Sequence, residues 1–172
     1  MISIREAREA DLPALLAIYN HVILNTTAVY TYQPQTMDAR KAWYAEKLAA
    51  GYPVFVAEED GKVIGFSSYG PFRAWPAYKY TIENSVYVTE EQRGKGVGKL
   101  LIKPLIDSAK AKSYHAVIAG IDSLNDSSIR LHASFGFVEV ANFKQVGYKF
   151  GRWLDLTFMQ LLLDTPAHPV EG

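Results

Sequence analysis

RGKGVGKLLI, residues 93–102, sets Gly94, Gly96 and Gly98 at alternate positions among Arg93, Lys95 and Lys99, then turns apolar. Glycine weakens a helix by about 1 kcal/mol relative to alanine. A helix start built this way gains something else. Its first-turn N–H groups are unpaired and carry partial positive charge, and without a Cβ an anion can reach them. The bland alternative is a flexible turn that merely feeds a helix. Two other phosphate motifs fail on spacing. A P-loop requires Ser or Thr after Gly-Lys, and here Leu100 follows Gly98-Lys99. A dinucleotide fingerprint separates its last two glycines by two residues and lies in the first strand–helix turn. Here Val97 stands alone between them, in mid-chain.

The elements around this stretch predict its setting. Residues 80–88, YTIENSVYV, read as a strand leading into the glycines, and the helix that follows extends to about Lys112. Pro104 falls inside that helix, where a proline costs roughly 3 kcal/mol, so a kink or break is expected. Upstream, ISIREA is a short strand. A helix over residues 11–25 places Leu12, Leu15, Leu16, Tyr19, Val22 and Ile23 on one face, with Asp11 as its N-cap. A second helix spans 36–50. YPVFVAEEDGKVIGFSSYG is a hairpin turned at Asp60-Gly61. PFRAWPAYKY is a structured aromatic loop. Downstream, HAVIAGID is a central strand. NDSSIRLHASFGF is a helix capped by Asn125 or Asp126 and closed by Gly136, and FVEVANF and RWLDLTFMQLLL are closing strands. The order is mixed, giving an α/β (α+β) layer fold around one sheet, with a single domain over 1–165 and a frayed tail over 166–172.

Composition narrows the function classes. The 172 residues carry no formal net charge, which argues against a nucleic-acid partner. There is no cysteine, which excludes disulfides, thiolate metal sites and an acyl-cysteine intermediate, and fits a reducing compartment. His21, His115, His132 and His168 show no paired helical spacing, so no metal site is expected. The N-terminus has charges where a signal peptide needs an apolar run, and no stretch approaches a membrane span. The expectation is a cytoplasmic protein with no membrane partner. GFSSY lacks the closing glycine of a nucleophile elbow.

Arg93-Gly94-Lys95-Gly96-Val97-Gly98 resembles the Arg/Gln-x-x-Gly-x-Gly/Ala motif of the GNAT superfamily of N-acetyltransferases. The preceding NSVYV and the following NDSSIRLHASFGF stand where that family keeps its other signatures. TIENSVYV and VGYKFGRWLDLTFMQ resemble the phosphinothricin / methionine sulfoximine acetyltransferase subgroup. The resemblance implies a twisted mixed sheet flanked by helices and splayed between its two central strands. It implies acetyl-CoA as co-substrate, with pyrophosphate on residues 93–98 and further contacts at Val86, Tyr87, Val88, Lys99 and Asn125. It implies a small amino-acid-like acceptor and a homodimer.

Glu83 is the candidate general base, a carboxylate inside an apolar strand, where a charge is unwelcome unless used or paired. As the resemblance implies, Val88 offers a backbone N–H to the thioester oxygen. Glu83 and Val88 are five apart, so a regular strand puts their side chains on opposite faces, and a bulge between them is expected. His132 stands where many relatives carry a tyrosine acid. Arg73, in the aromatic loop, suits a carboxylate. Trp75 and Ser85 complete the acceptor candidates, with Tyr30, Tyr32, Tyr78 and the KFGRW segment as pocket walls. Lys149 and Arg152 are expected to be solvated or near a subunit boundary.

Overall fold

Asp60 and Gly61 both take positive φ, 50° and 76°, as a two-residue primed turn requires. That turn closes β2 (Val54–Glu59) onto β3 (Lys62–Pro71). A computed structural model gives the structure, which describes residues 1–171. β1 (Ser3–Glu6) pairs antiparallel with β2, and β3 pairs antiparallel with β4 (Thr81–Val88). β5 (Ala116–Asp122), β6 (Val138–Lys149) and β7 (Arg152–Leu162) complete a seven-stranded sheet in the order β1-β2-β3-β4-β5-β7-β6. Only the β4–β5 pairing is parallel, and it is short: Thr81, Ile82 and Glu83 against Ala116, Val117 and Ile118. β4 continues to Val88 and β5 to Asp122 without pairing to each other, so the sheet is mixed and splayed at its centre, as expected.

Four helices cover the sheet. α1 (Leu12–Asn25) and α2 (Met37–Ala49) bury Leu12, Leu15, Ile18 and Tyr44 against Val54, Val56 and Phe66. α3 (Val97–Ala111) and α4 (Asp126–Ala133) lie on the other face. There Leu101 packs with Ala57 and Ile64, and Leu105 with Ile82, Val117 and Ala119. Burying an aliphatic side chain such as Leu101 stabilises the fold by about 1.5–3 kcal/mol. Period two along β4 turns Ile82, Val86 and Val88 to the α3 face. Glu83, Ser85 and Tyr87 face the other way, where the Tyr87 ring meets Tyr19 of α1 edge-on at 5.4 Å.

Several local expectations are corrected. Asp11 stands at the N-cap position of α1, but its side chain makes no capping hydrogen bond to the helix. Its carboxylate accepts from Arg5 at 2.7 and 2.9 Å and from the Arg8 N–H at 2.7 Å, and this pairing holds it below the usual carboxylate range. α3 runs unbroken through Pro104, so the expected break is absent, and buried Ser67 donates to the Leu101 carbonyl at 3.0 Å in the turn before the proline. β6 extends well past Phe143, through register shifts against β7. Within the segment read as a tail, Val170 exchanges two hydrogen bonds with the Tyr80 hydroxyl, at 3.0 and 3.1 Å. Gly172 lies outside the described residues.

Candidate active site

Past Glu83 and Ile118 the central strands part around a cavity of about 670 Å³. One wall is β4 from Glu83 to Val88, the other β5 from Ala119 to Asp122, and the starts of α3 and α4 close one side.

The glycine stretch is built as a cradle. Gly94 and Gly96 take φ of 76° and 86°, and a Cβ on either would meet nothing within 4 Å. An L side chain is strained in that conformation and glycine is not. The first α3 amide to bond back is that of Lys99, to the Gly96 carbonyl at 3.1 Å. The amides of residues 94–98 make no backbone hydrogen bond among the described residues. Nor does any ion pair engage Arg93, Lys95 or Lys99 there. Arg93, Gly94, Gly96, Val97, Gly98 and Lys99 all line the cavity; Lys95 does not. Free amides, open space and unspent positive charge fit a pyrophosphate.

The expected bulge in β4 is absent. Register against β3 runs without a shift from Ile82–Pro71 to Val88–Gly65. Backbone direction explains why none is required. The Thr89 N–H donates to the Ile64 carbonyl of β3, and the Thr81 carbonyl accepts from Phe72 on the same side. Odd residues of β4 therefore direct their backbone groups toward β3. Asn84, Val86 and Val88 direct theirs toward β5, which has moved away. A regular strand thus presents the Glu83 side chain on one face and the Val88 N–H in the plane of the gap. The splay does the work assigned to a bulge.

Glu83 lies over Gly120 of β5: a methyl group placed there would stand 3.1 Å from Glu83 Oε1. Burial raises its pKa, with no charged or hydrogen-bonding group offsetting the shift. An unpaired, half-buried carboxylate facing a cavity can collect a proton from a bound amine. Ser85 shares its face and lines the cavity with Val86, Tyr87 and Val88. Burial among Tyr19 and Phe66 pushes the Tyr87 hydroxyl up to about 12.

Asn125 caps α4, its Oδ1 accepting from the Ser128 N–H at 3.1 Å, and it lines the cavity. His132 also lines it, with both ring nitrogens engaged. Nδ1 lies 2.8 Å from the Ser128 carbonyl, which can only accept, so Nδ1 carries the proton. Nε2 then accepts from Asn84 Nδ2 at 3.0 Å. Burial lowers the His132 pKa and favours this neutral form. The geometry leaves the expected acid no proton directed at the cavity.

Arg73 and Trp75 are not brought into the cavity. Both are exposed, Trp75 by 73%. Their loop is anchored through Phe72, whose ring lies 6.0 Å from Phe158 of β7, on the face that Glu83 shares. Tyr30 packs on Gly147 and its hydroxyl donates to the Asp155 carbonyl at 3.3 Å, and it does not line the cavity. Lys149 is not solvated: only 4% exposed, it donates to the carbonyls of Ile23, Thr26 and Val29 at 2.6–2.9 Å and fixes the loop after α1. Asp122 and Gly120, which line the cavity, were not among the candidates. Their only sequence signal is a glycine and an acid inside an otherwise apolar strand.

Residues 15–137 match the model of the acetyltransferase (GNAT) family. The chain belongs to the GNAT family of acetyltransferases. It is 49% identical to the L-methionine sulfoximine/L-methionine sulfone acetyltransferase of Salmonella typhimurium, over 98% of each chain. A phosphinothricin acetyltransferase of Sinorhizobium meliloti, solved with acetyl-CoA, superposes with a TM-score of 0.94 at 37% identity, covering 99% of this chain and 94% of that one. A ribosomal-protein-alanine N-acetyltransferase of Brucella melitensis superposes with a TM-score of 0.92 at 48% identity, covering 94% and 99%. This GNAT protein is an acyltransferase.

Proposed function

We propose that this GNAT enzyme transfers acetyl from acetyl-CoA to the α-amine of a small amino acid of the methionine sulfoximine, methionine sulfone or phosphinothricin class, by direct attack with both substrates bound. The observation that carries this reading is the unpaired Glu83 carboxylate in the same cavity as the amide cradle of residues 94–98. Acetyl-CoA supplies the acetyl group as an activated thioester. Residues 93–98 hold its pyrophosphate, with Arg93 and Lys99 adding charge, while the Val86 backbone and Asn125 hold the pantetheine arm. The Val88 N–H, aimed into the gap, serves the thioester oxygen.

An α-amine titrates at about 7.7–8.0, so at neutral pH it must lose a proton before it attacks. Glu83 takes that proton, and its raised pKa makes it a stronger base than an exposed glutamate. A thiol of pKa about 8.5 is a fair leaving group, and solvent returns its proton. His132 holds Asn84 and the wall of the gap. Ser85, beside Glu83, faces the acceptor, and Arg73 and Trp75, exposed on the aromatic loop outside the cavity, receive its carboxylate and side chain. The sulfoximine acetyltransferase at 49% identity supports this acceptor class. A protein N-terminus is the second reading, favoured by the ribosomal-protein-alanine enzyme.

The domain of 1–165 works as a cytoplasmic homodimer in this reading. Exposed Val138, Val140, Phe143 and Val146 along edge strand β6 support a subunit contact. No described helix is long and apolar enough to cross a membrane. Thiol release from acetyl-CoA, with an amine panel at equal concentration, tests the reading. Turnover concentrated on methionine sulfoximine, its sulfone and phosphinothricin is expected. Normal acetyl-CoA binding without turnover of any of them would sink the acceptor assignment.

A further inference from the structure

Asp122 ends β5 and is only 4% exposed, yet the chemistry above does not use it. Three elements converge on its carboxylate. The Thr27 hydroxyl, from the loop after α1, donates to Oδ2. The Leu124 N–H, from the β5–α4 turn, donates to Oδ1 at 3.0 Å. The Arg152 guanidinium, from the start of β7, stands 3.6 Å from Oδ2. The Asp122 carbonyl also accepts the Asn125 N–H at 2.8 Å. One residue therefore fixes Asn125, on the cofactor side, and Thr27, on the acceptor side. Thr26 and Ala28, which flank Thr27, line the cavity. The same loop is held from beneath by Lys149 through the Thr26 and Val29 carbonyls.

We propose that Asp122 is a positioning residue that couples the cofactor half of the site to the acceptor half, so that acetyl-CoA seated against Asn125 orders the loop at 26–29. Coupling of this kind follows from shared contacts. A ligand that steadies the β5–α4 turn steadies the carboxylate, and the carboxylate steadies Thr27. The inference rests on the reading that acetyl-CoA occupies this cavity.

Hydrogen–deuterium exchange tests it without any acceptor. In the wild type, saturating acetyl-CoA should slow exchange of amides 26–29 by about 5-fold or more. Asp122→Asn keeps an oxygen for the Leu124 N–H but turns an NH2 toward Thr27 and Arg152. Thr27→Val removes only the hydroxyl. Both should bind acetyl-CoA within about twofold of wild type by calorimetry and lose the protection, while Thr27→Ser should keep it. Wild-type binding without protection overturns the coupling alone, and no binding at all overturns both the coupling and the cofactor reading. Protection that persists in both variants means the ligand touches the loop directly, and it refutes the role of Asp122. Loss of affinity in parallel with protection in both variants assigns Asp122 a merely structural role and refutes it equally.

Discussion

Glu83→Gln separates the chemistry of this site from its stability. The carboxylate lies against Gly120, half-buried and without a partner. Glutamine keeps the shape and removes the base. General-base catalysis contributes about 10²–10⁴-fold, so kcat/KM should fall by at least about 100-fold, near 2.7 kcal/mol of barrier. Stability should move the other way. Burial raises the folded-state pKa above the ordinary glutamate value, so the folded protein binds the proton more tightly than the unfolded chain. The ionised form therefore destabilises the fold. That cost is absent below the unfolded pKa and grows until the pH passes the folded one. At pH 7 the variant should melt slightly above wild type, and the difference should vanish as the pH falls to about 4. The part of the acid limb of the wild-type pH–rate profile that Glu83 contributes, displaced upward by burial, should disappear and leave only that of the acceptor amine. Thiol-release kinetics, calorimetry of acetyl-CoA and thermal melts across pH form the assay. A variant that keeps its rate within a few-fold, or loses acetyl-CoA affinity together with rate, refutes the assignment of Glu83 as base.

Gly96→Val forces a branched side chain into positive φ at the cradle. The strain is about 1–2 kcal/mol, or roughly 2–8 °C in Tm, and calorimetry should register a loss of acetyl-CoA affinity much larger than any change in acceptor binding. His132→Ala strands Asn84 Nδ2 and should cost about 1–3 kcal/mol in denaturant unfolding, with kcat reduced less than about tenfold. Because burial lowers the His132 pKa, its neutral form contributes stability above the unfolded pKa of 6.5 that is lost as the pH falls from there toward the folded value. Melts between pH 7 and 5 should show that loss in wild type and not in the variant. Lys149→Met leaves the Ile23, Thr26 and Val29 carbonyls without their donor and should lower stability by about 2 kcal/mol or more by urea unfolding.

The residues that chain-local physics governs were legible. Asp60-Gly61 turned as its composition requires, and Asn125 capped α4. Gly94 and Gly96 leave the open space that an approaching anion needs, whereas Gly98 is there for close packing against Leu131. What escaped was tertiary. Alternation along β4 sets the Glu83 and Val88 side chains on opposite faces, but it is the Val88 N–H, in the plane of the splay, that reaches the gap, and no bulge is needed for it. Lys149 looks like a surface lysine until the end of α1, more than 100 residues earlier, brings three carbonyls to it. Asp122 resembles any strand-terminal acid, because Thr27, Leu124 and Arg152 meet it only in three dimensions. Asp11 had the right identity for a cap, but the bidentate Arg5 outbid the helix amides.

Three residue pairs are all that join β4 to β5. Most open sheets have two edges, and this one has four: β1 and β6 outside, and the free lengths of β4 and β5 within. Unpaired strand edges invite pairing with other chains. The inner pair escapes that fate because it faces itself across a gap walled by α3 and α4 and closed at its root by the three β4–β5 pairs. An extended ligand with amide groups of its own is the natural guest for such a seam, completing from outside a sheet that the chain leaves unfinished.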